Sequence, residues 1–373
     1  VLLSSLLVLG MVTGLSVVFI YRHLNGNLTV VDLADQLHDR PEKQGRELPQ
    51  EPLNILVMGS DTRDCEGCDI DQEGTGSGFS DTTILMHLSA DRERAYGISI
   101  PRDSLVDRPE CEAEDGSTIP AESGAMWNAA YQLGGPACTI QQFEQLTDVF
   151  VDHYIVVNFQ GFQDMVDAID GVEVCIPEDI EDPAHGINIP AGTREIEGKE
   201  ALNYVRARYT LGDGSDLSRI KRQQAFIAAM AKKVISSGTV ARLDRLVGFL
   251  NAATNSLTVD PGLENVYRIG KLGLGFQNIG LDNIQFLTVP WQYSPADPNR
   301  VEWLPEADAL WEKLIADEPL TRRLTSEAIS AGNVPGSGNP SSGSGSESPS
   351  GSPSSGAEDD ERAQALEQAG LCA

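Results

Sequence analysis

The chain has 373 residues, long enough for one large domain or two ordinary ones with tails. Its 40% apolar and 22% charged content excludes a fully disordered or collagen-like polymer. Acidic residues outnumber Lys and Arg by 56 to 27, a formal net charge of −29. Such a surface repels phosphate backbones, so no nucleic-acid partner is expected.

The run from Val1 to Tyr21 carries no charge. As a helix it spans roughly 30 Å, the thickness of a hydrocarbon core. A buried core helix and a cleaved signal peptide fit the same composition. No small-x-small cleavage pattern follows the run, so an uncleaved single-pass anchor in the cell membrane is expected. Charges on the N-terminal side of a span orient it, and the sequence opens at Val1, so it does not orient the span by itself. Six Cys favour an oxidising compartment, which places the rest of the chain outside the cytoplasm. Residues 22–52 are polar, with Pro41, Pro49 and Pro52, and read as a short, partly helical stalk.

Patterned sequence fills residues 53–328. Leu53–Met58 reads as a buried strand, and Thr82–Leu88 and Arg94–Ile100 as strands joined by a tight connection over Ser89–Glu93. His153–Phe159, a helix over Phe162–Ile169 and Val172–Ile176 form a strand–helix–strand pattern. Asp216–Ser236, Thr239–Ala253 and Pro261–Leu274 read as helices, and Ile284–Val289 as a late strand. The interleaving predicts an α/β domain, a central mixed sheet covered by helices on both faces. Residues 329–373 read as a flexible tail. Asn333 to Gly356 is almost all Gly, Ser, Pro and Asn, too polar to repay its ordering entropy, and Ala363–Ala369 is at most a marginal helix.

Arginine gathers in three places, at Arg102, at Arg206 and Arg208, and at Arg219 and Arg222 beside Gln223. On a helix Arg219, Arg222 and Gln223 share a face. Arg206 and Arg208 face one way only on extended chain, so a helix begun near Gly198 is expected to end around Tyr204 if both serve one site. Planar guanidinium groups suit phosphate oxygens, and the set reads as a phosphate or pyrophosphate site. Asp61 and Asp81 sit at strand ends, where open α/β sheets place ligands, and suit Mg²⁺ held with water and phosphate oxygens. Gly74–Gly78 between them lacks the Lys of a P-loop. His153 reads as a core or edge histidine. Cys65 and Cys68 read as a local disulfide rather than a zinc half-site. Cys111 and Cys138 are expected to pair with each other, or one of them with Cys175.

These residues resemble the LytR-CpsA-Psr family of cell-wall ligases. The resemblance rests on Asn54–Arg63, Ser80–Thr83, Ser99–Asp103, Trp127–Tyr131, Asp152–Tyr154, Gly161-Phe162, Ala201–Arg208 and Asp216–Gln224, in family order. It implies an extracytoplasmic phosphotransferase that takes a glycopolymer, such as a teichoic acid or arabinogalactan, from an undecaprenyl-diphosphate carrier. The product is a phosphodiester to the cell wall, usually on peptidoglycan. Mg²⁺ is the implied cofactor, with Asp61 and Asp81 as metal-associated carboxylates, either of which also serves to deprotonate the acceptor hydroxyl. Catalysis would rest on Asp61, Asp81, Arg102 and Arg206. Diphosphate contacts would come from Arg102, Arg206, Arg208, Arg219 and Gln223, with Arg63 as a compensating cation. Phe159, Phe162, Phe226, Ile227 and Met230 are candidate linings of a lipid cavity. Two positions depart from the pattern. Phe79 stands where many relatives carry Arg, and Met126 where many carry Lys. A noncatalytic polyprenyl-phosphate or wall-polymer binding module is the competing expectation. A membrane-bound transcriptional attenuator is disfavoured by the acidic charge.

Overall fold

The computed structural model describes residues 2–43, 45, 48, 50–60, 80–183, 187–207, 212, 214–236, 242–336 and 363–372. In chain order the central strands are β1 (Thr29–Val30), β2 (Leu53–Ser60), β3 (Ser80–Leu88), β4 (Ala95–Ile100), β5 (His153–Asn158), β6 (Leu257–Val259), β7 (Ile284–Thr288) and β8 (Ile329–Ser330). The helices are α1 (Leu2–Asn27), α2 (Ala129–Thr147), α3 (Phe159–Ala168), α4 (Gly198–Arg206), α5 (Asp216–Ser236), α6 (Leu243–Ser256), α7 (Val266–Ile279) and α8 (Glu306–Ile315). The sheet runs β1-β6-β5-β2-β3-β4-β7-β8. β1 on β6, β5 on β2 and β4 on β7 are parallel, and the other neighbours are antiparallel.

The period-2 alternation of β2 divides its side chains between two cores. Leu56 and Met58, both fully buried, face α2 and α8 in a cluster holding Trp127, Phe143, Leu310 and Trp311. Ile55 and Val57 face α3, α4 and α5, with Leu202, Tyr204 and Phe226. Helices therefore cover both faces, as expected of a mixed α/β sheet. Asn158 caps α3, its side chain accepting from the Gly161 amide at 2.7 Å. A Cβ at Gly161 would collide with the Ser256 side chain, so only glycine lets α3 lie this close to α6.

Three expectations change. Val172–Ile176 is a strand, but it pairs with Gly192–Ile196 in a separate ribbon instead of completing a crossover in the central sheet. Residues 29–43 do not form a free stalk. β1 joins the sheet edge, Leu33 is buried, and Arg40 grips the Glu144 carboxylate at 2.8 and 2.6 Å. The chain also stays in the domain past residue 328, since β8 pairs with β7 and Ala331 and Val334 are buried. Residues 363–368 are helical, and Ala369 and Leu371 are buried in the main core. The described cysteines form Cys111–Cys138 and Cys175–Cys372. The first is one of the expected pairings. The second takes Cys175 to the C-terminal end. Cys65, Cys68 and Gly74–Gly78 lie outside the described residues.

Candidate functional site

A cavity of about 440 Å³ lies between the sheet and the helices α3, α4 and α5. Val57, Gly59, Ile84 and Val157 form its floor, and Phe159, Phe162, Phe226, Ile227 and Met230 line it from the helices. All five apolar residues singled out as lipid-facing are therefore on its wall. The polar lining comes from Asp81, Thr82, Asn158, Asp182, Asn203, Arg206, Arg219 and Gln223. A long apolar hollow with a few cations and carboxylates suits an amphiphile with an anionic head.

The polar residues are fixed by the elements that carry them. α4 ends at Arg206, two residues later than expected, and Ala207 turns to φ −53°, ψ 133°. The Arg206 guanidinium sits 4.7 Å from the Phe159 ring centroid, a cation–π arrangement that holds it on the wall. Gln223 links three elements. Its amide donates to the Val205 carbonyl at 3.2 Å, and its oxygen accepts from Thr82 Oγ1 at 3.2 Å. Gln224, one residue on, faces the sheet and donates to Ser99 Oγ and Thr288 Oγ1, both at 3.0 Å. Arg222 does not face the cavity with Arg219 and Gln223. It is fully buried and donates to backbone carbonyls.

Arg102 stands behind Asp81, donating from Nη1 to Asp81 Oδ1 at 2.5 Å. Its Nε lies 3.5 Å from Asp103 Oδ2 and 3.2 Å from Asp216 Oδ1. Burial works against the charged guanidinium, but the carboxylates of Asp216, Asp81 and Asp103 outweigh it and hold Arg102 above its ordinary value. Asp216 also pairs with Arg219 one helical turn on, so one carboxylate joins two of the expected phosphate ligands. Sequence reading missed that role, although an acidic residue three before an Arg on a helix was the available signal. Trp127 and Asn128 support the same corner. The Asn128 amide donates to the Arg102 carbonyl at 3.2 Å, and Trp127 Nε1 donates to Thr83 Oγ1 at 3.1 Å. Burial pushes the Tyr204 phenol up to about 12, so it stays neutral and packs beside Phe226.

Asp81, Arg206, Arg219 and Gln223 thus converge on one cavity, and Arg102 reaches it through Asp81. Asp61, Arg63, Phe79 and Arg208 lie outside the described residues. Met126 pairs with Leu105 in the hairpin that follows Arg102. Among the described residues no group of three or more His, Cys, Asp or Glu is arranged to hold a metal ion by itself. Asp81 offers a hard carboxylate oxygen on the cavity wall. A single carboxylate beside guanidinium groups is compatible with Mg²⁺, which usually keeps waters and phosphate oxygens rather than an all-protein cage.

A sequence profile described as the LytR_cpsA_psr family matches residues 20–313. The chain is 32% identical over 270 residues to the cell wall biosynthesis protein LcpA of Corynebacterium glutamicum, covering 67% of this chain and 48% of LcpA. It spans about half the length of the curated relatives it matches. Among solved structures, the LytR-Csp2A-Psr enzyme from Actinomyces oris superposes with a TM-score of 0.59 at 17% identity, covering 77% of this chain and 96% of that one. TagT, a B. subtilis protein, in a structure bound to LI-WTA, superposes with a TM-score of 0.56 at 23% identity, covering 77% and 98%. These two likenesses carry the fold.

Proposed function

Because the chain belongs to the LytR-CpsA-Psr family, we propose that it moves a glycopolymer from an undecaprenyl-diphosphate carrier onto the cell wall, joining it to a peptidoglycan hydroxyl through a phosphodiester. The observation that supports this reading most directly is the cavity itself, apolar along α3 and α5 and lined with Asp81, Arg206, Arg219 and Gln223 at its polar part. Burying hydrocarbon against Phe162, Phe226, Ile227 and Met230 supplies affinity that does not depend on the sugar. The diphosphate lies against the cations.

In this reading the acceptor hydroxyl attacks the phosphorus that bears the glycan. The bond from that phosphorus to the bridging oxygen breaks, and polyprenyl phosphate leaves with the electron pair. Asp81 or Asp61 takes the hydroxyl proton. Arg206 and Arg219 stabilise the charge that builds on the phosphate oxygens, and Arg102 fixes the Asp81 carboxylate. Mg²⁺ held by Asp81 and Asp61 would neutralise phosphate charge when bound. The apolar wall limits the water that competes with the acceptor.

α1, apolar along its length and with its sides exposed, is long enough to anchor the domain at the membrane that holds the carrier. The two disulfides among the described residues suit an extracytoplasmic location. Mass spectrometry of lipid co-purified with the folded chain is the test. A bound polyprenyl phosphate or diphosphate is expected, together with transfer from a short-chain prenyl-diphosphate glycan. Neither lipid nor transfer would reject the reading. Phe79 and Met126, in place of expected cations, favour a noncatalytic lipid-binding module as the second reading. Bound lipid without turnover in the presence of Mg²⁺ selects that one.

A further inference from the structure

Arg222 is fully buried yet lies on the same helix as the cavity residues Arg219 and Gln223. Its guanidinium joins two backbone carbonyls from distant parts of the chain. One is Ala207, the residue after Arg206. The other is Ala369, at 3.1 Å, in the C-terminal segment. That segment is built into the domain. Ala369 and Leu371 are both 2% exposed, and the Gln368 carbonyl accepts from Ser218 Oγ at 3.1 Å. Gly212, at φ 68°, lies so close to the Gln368 carbonyl that a Cβ would not fit. Cys372 is bonded to Cys175 on the strand Val172–Ile176, which fastens the segment to the core.

We propose that Arg222 is a positioning residue for the headgroup part of the cavity, and that the C-terminal segment 363–372 is the other half of the device that holds it. A planar guanidinium binds two carbonyls at once only if both stay in place. Withdrawing the Ala369 carbonyl leaves a buried cation short of an acceptor, so Arg222 shifts towards another partner and its hold on Ala207 relaxes. Ala207 sets the direction of Arg206, whose guanidinium rests over Phe159. The same segment grips Ser218, the neighbour of Arg219. Both phosphate-facing arginines are therefore tied to the C-terminal segment, whereas Ile227 and Met230 lie about two to three turns beyond Arg219 along α5. Loss of the clasp should weaken recognition of the charged head and spare the hydrocarbon chain.

This inference rests on the prenyl-diphosphate reading of the cavity, and its test separates the two. The full chain is compared with a Cys175→Ser/Cys372→Ser variant, and with a Cys111→Ser/Cys138→Ser variant as a control that removes a disulfide elsewhere in the fold. Arg222→Lys, which keeps the charge but lacks the fork, is the fourth sample. Each is titrated with a short-chain prenyl diphosphate and with the matching prenyl alcohol. Opening the clasp is expected to weaken diphosphate binding roughly tenfold, the scale of one charge-assisted hydrogen bond. Alcohol binding should stay unchanged, the control should bind both as the parent does, and Arg222→Lys should repeat the split. Equal weakening of both probes, or an equal loss in the control, would reduce the segment to a general stabiliser and overturn the inference. Amide hydrogen exchange over Val205–Ala207 gives a readout free of ligand. Faster exchange with the clasp open supports the coupling, and unchanged exchange overturns it. A parent chain that binds neither probe overturns the reading of the cavity instead.

Discussion

Arg102 and Arg206 look alike in the sequence, but their surroundings give them different work. Arg206 lies on the cavity wall above an aromatic ring, whereas Arg102 is enclosed by Asp81, Asp103 and Asp216. Arg206→Ala is therefore expected to keep its stability and lose transfer by about two to three orders of magnitude, the scale of one electrostatic donor. Arg102→Ala should lose activity too, and it also leaves three carboxylates facing one another with less counter-charge. A stability loss of about 1–3 kcal/mol is expected there, below the range for fully buried pairs because these side chains are partly exposed. Turnover with a prenyl-diphosphate glycan, measured beside urea unfolding, separates the two. Equal unfolding midpoints would refute the structural part of the Arg102 assignment. On the apolar wall, Met230→Trp fills part of the hollow. It should reduce prenyl-chain binding at least tenfold, roughly the worth of one or two methylenes excluded from the pocket, and undiminished binding would place the chain elsewhere.

At the scale of elements, the helix α8 shows how a loop is pinned by one carboxylate. Asp317, in left-handed conformation just past the helix end, meets His87 Nε2 at 3.2 Å and the Ala90 amide at 3.0 Å. Burial raises the cost of its charge, but the His87 hydrogen bond, the Ala90 amide and the charges of His87 and Arg94 prevail and hold its carboxyl below the ordinary carboxylate range. A lowered carboxylate contributes stability above its unfolded value, near 3.9, that is lost as pH falls through its folded value. Asp317→Asn keeps the tolerance for positive φ and removes the charge. The parent should lose its stability advantage over this variant as pH drops from 5 towards 2; an advantage that is constant with pH would refute the assignment. Elements of this kind were unevenly legible in the sequence. The apolar runs of β2, β3, β4 and β7 gave their strands, and the period of Asp216–Ser236 gave α5 with its boundaries. α2 stayed hidden because Gly134, Gly135 and Pro136 break its pattern, and Gly135 is indeed non-helical at φ 61°. The alternation in Val172–Ile176 identified a strand but not its partner, since pairing depends on chain twenty residues away. Of the cavity lining, Arg206, Arg219 and Gln223 stood out by residue type and spacing, whereas the five apolar residues were singled out only through the family resemblance. The inward turn of Arg222 could not, because its partner Ala369 lies 147 residues on, beyond a polar stretch that resembles a free tail.

For the whole molecule, charge and connectivity decide how the domain would meet a membrane in the proposed anchored form. A chain with net charge −29 gains nothing from anionic headgroups, so in the proposed membrane-bound form attachment falls to α1. The helix reaches the domain through Asn25, whose side chain accepts from the Val266 amide at 2.8 Å, and through Asn27, which donates to Asn251 at 3.2 Å. After it, residues 29–43 wrap the domain as a strap. β1 completes one edge of the sheet. Arg40 meets the Glu144 carboxylate, whose side chain is 1% exposed, and Lys43 pairs with Asp152 at 2.5 Å. The packed domain therefore begins near residue 28 rather than residue 52. A chain beginning at residue 28 is expected to be soluble and to unfold cooperatively. One beginning at residue 52 loses Arg40 and leaves Glu144 as a buried carboxylate with the Val151 amide, at 2.8 Å, still donating to it. Breaking a buried pair by removing one partner costs about 3–5 kcal/mol, a large part of a domain's total stability. Arg40→Ala in the longer form should reproduce most of that loss by itself. Urea unfolding of the three proteins tests this: if all three share one midpoint, the strap contributes nothing and residues 29–43 are a tether after all.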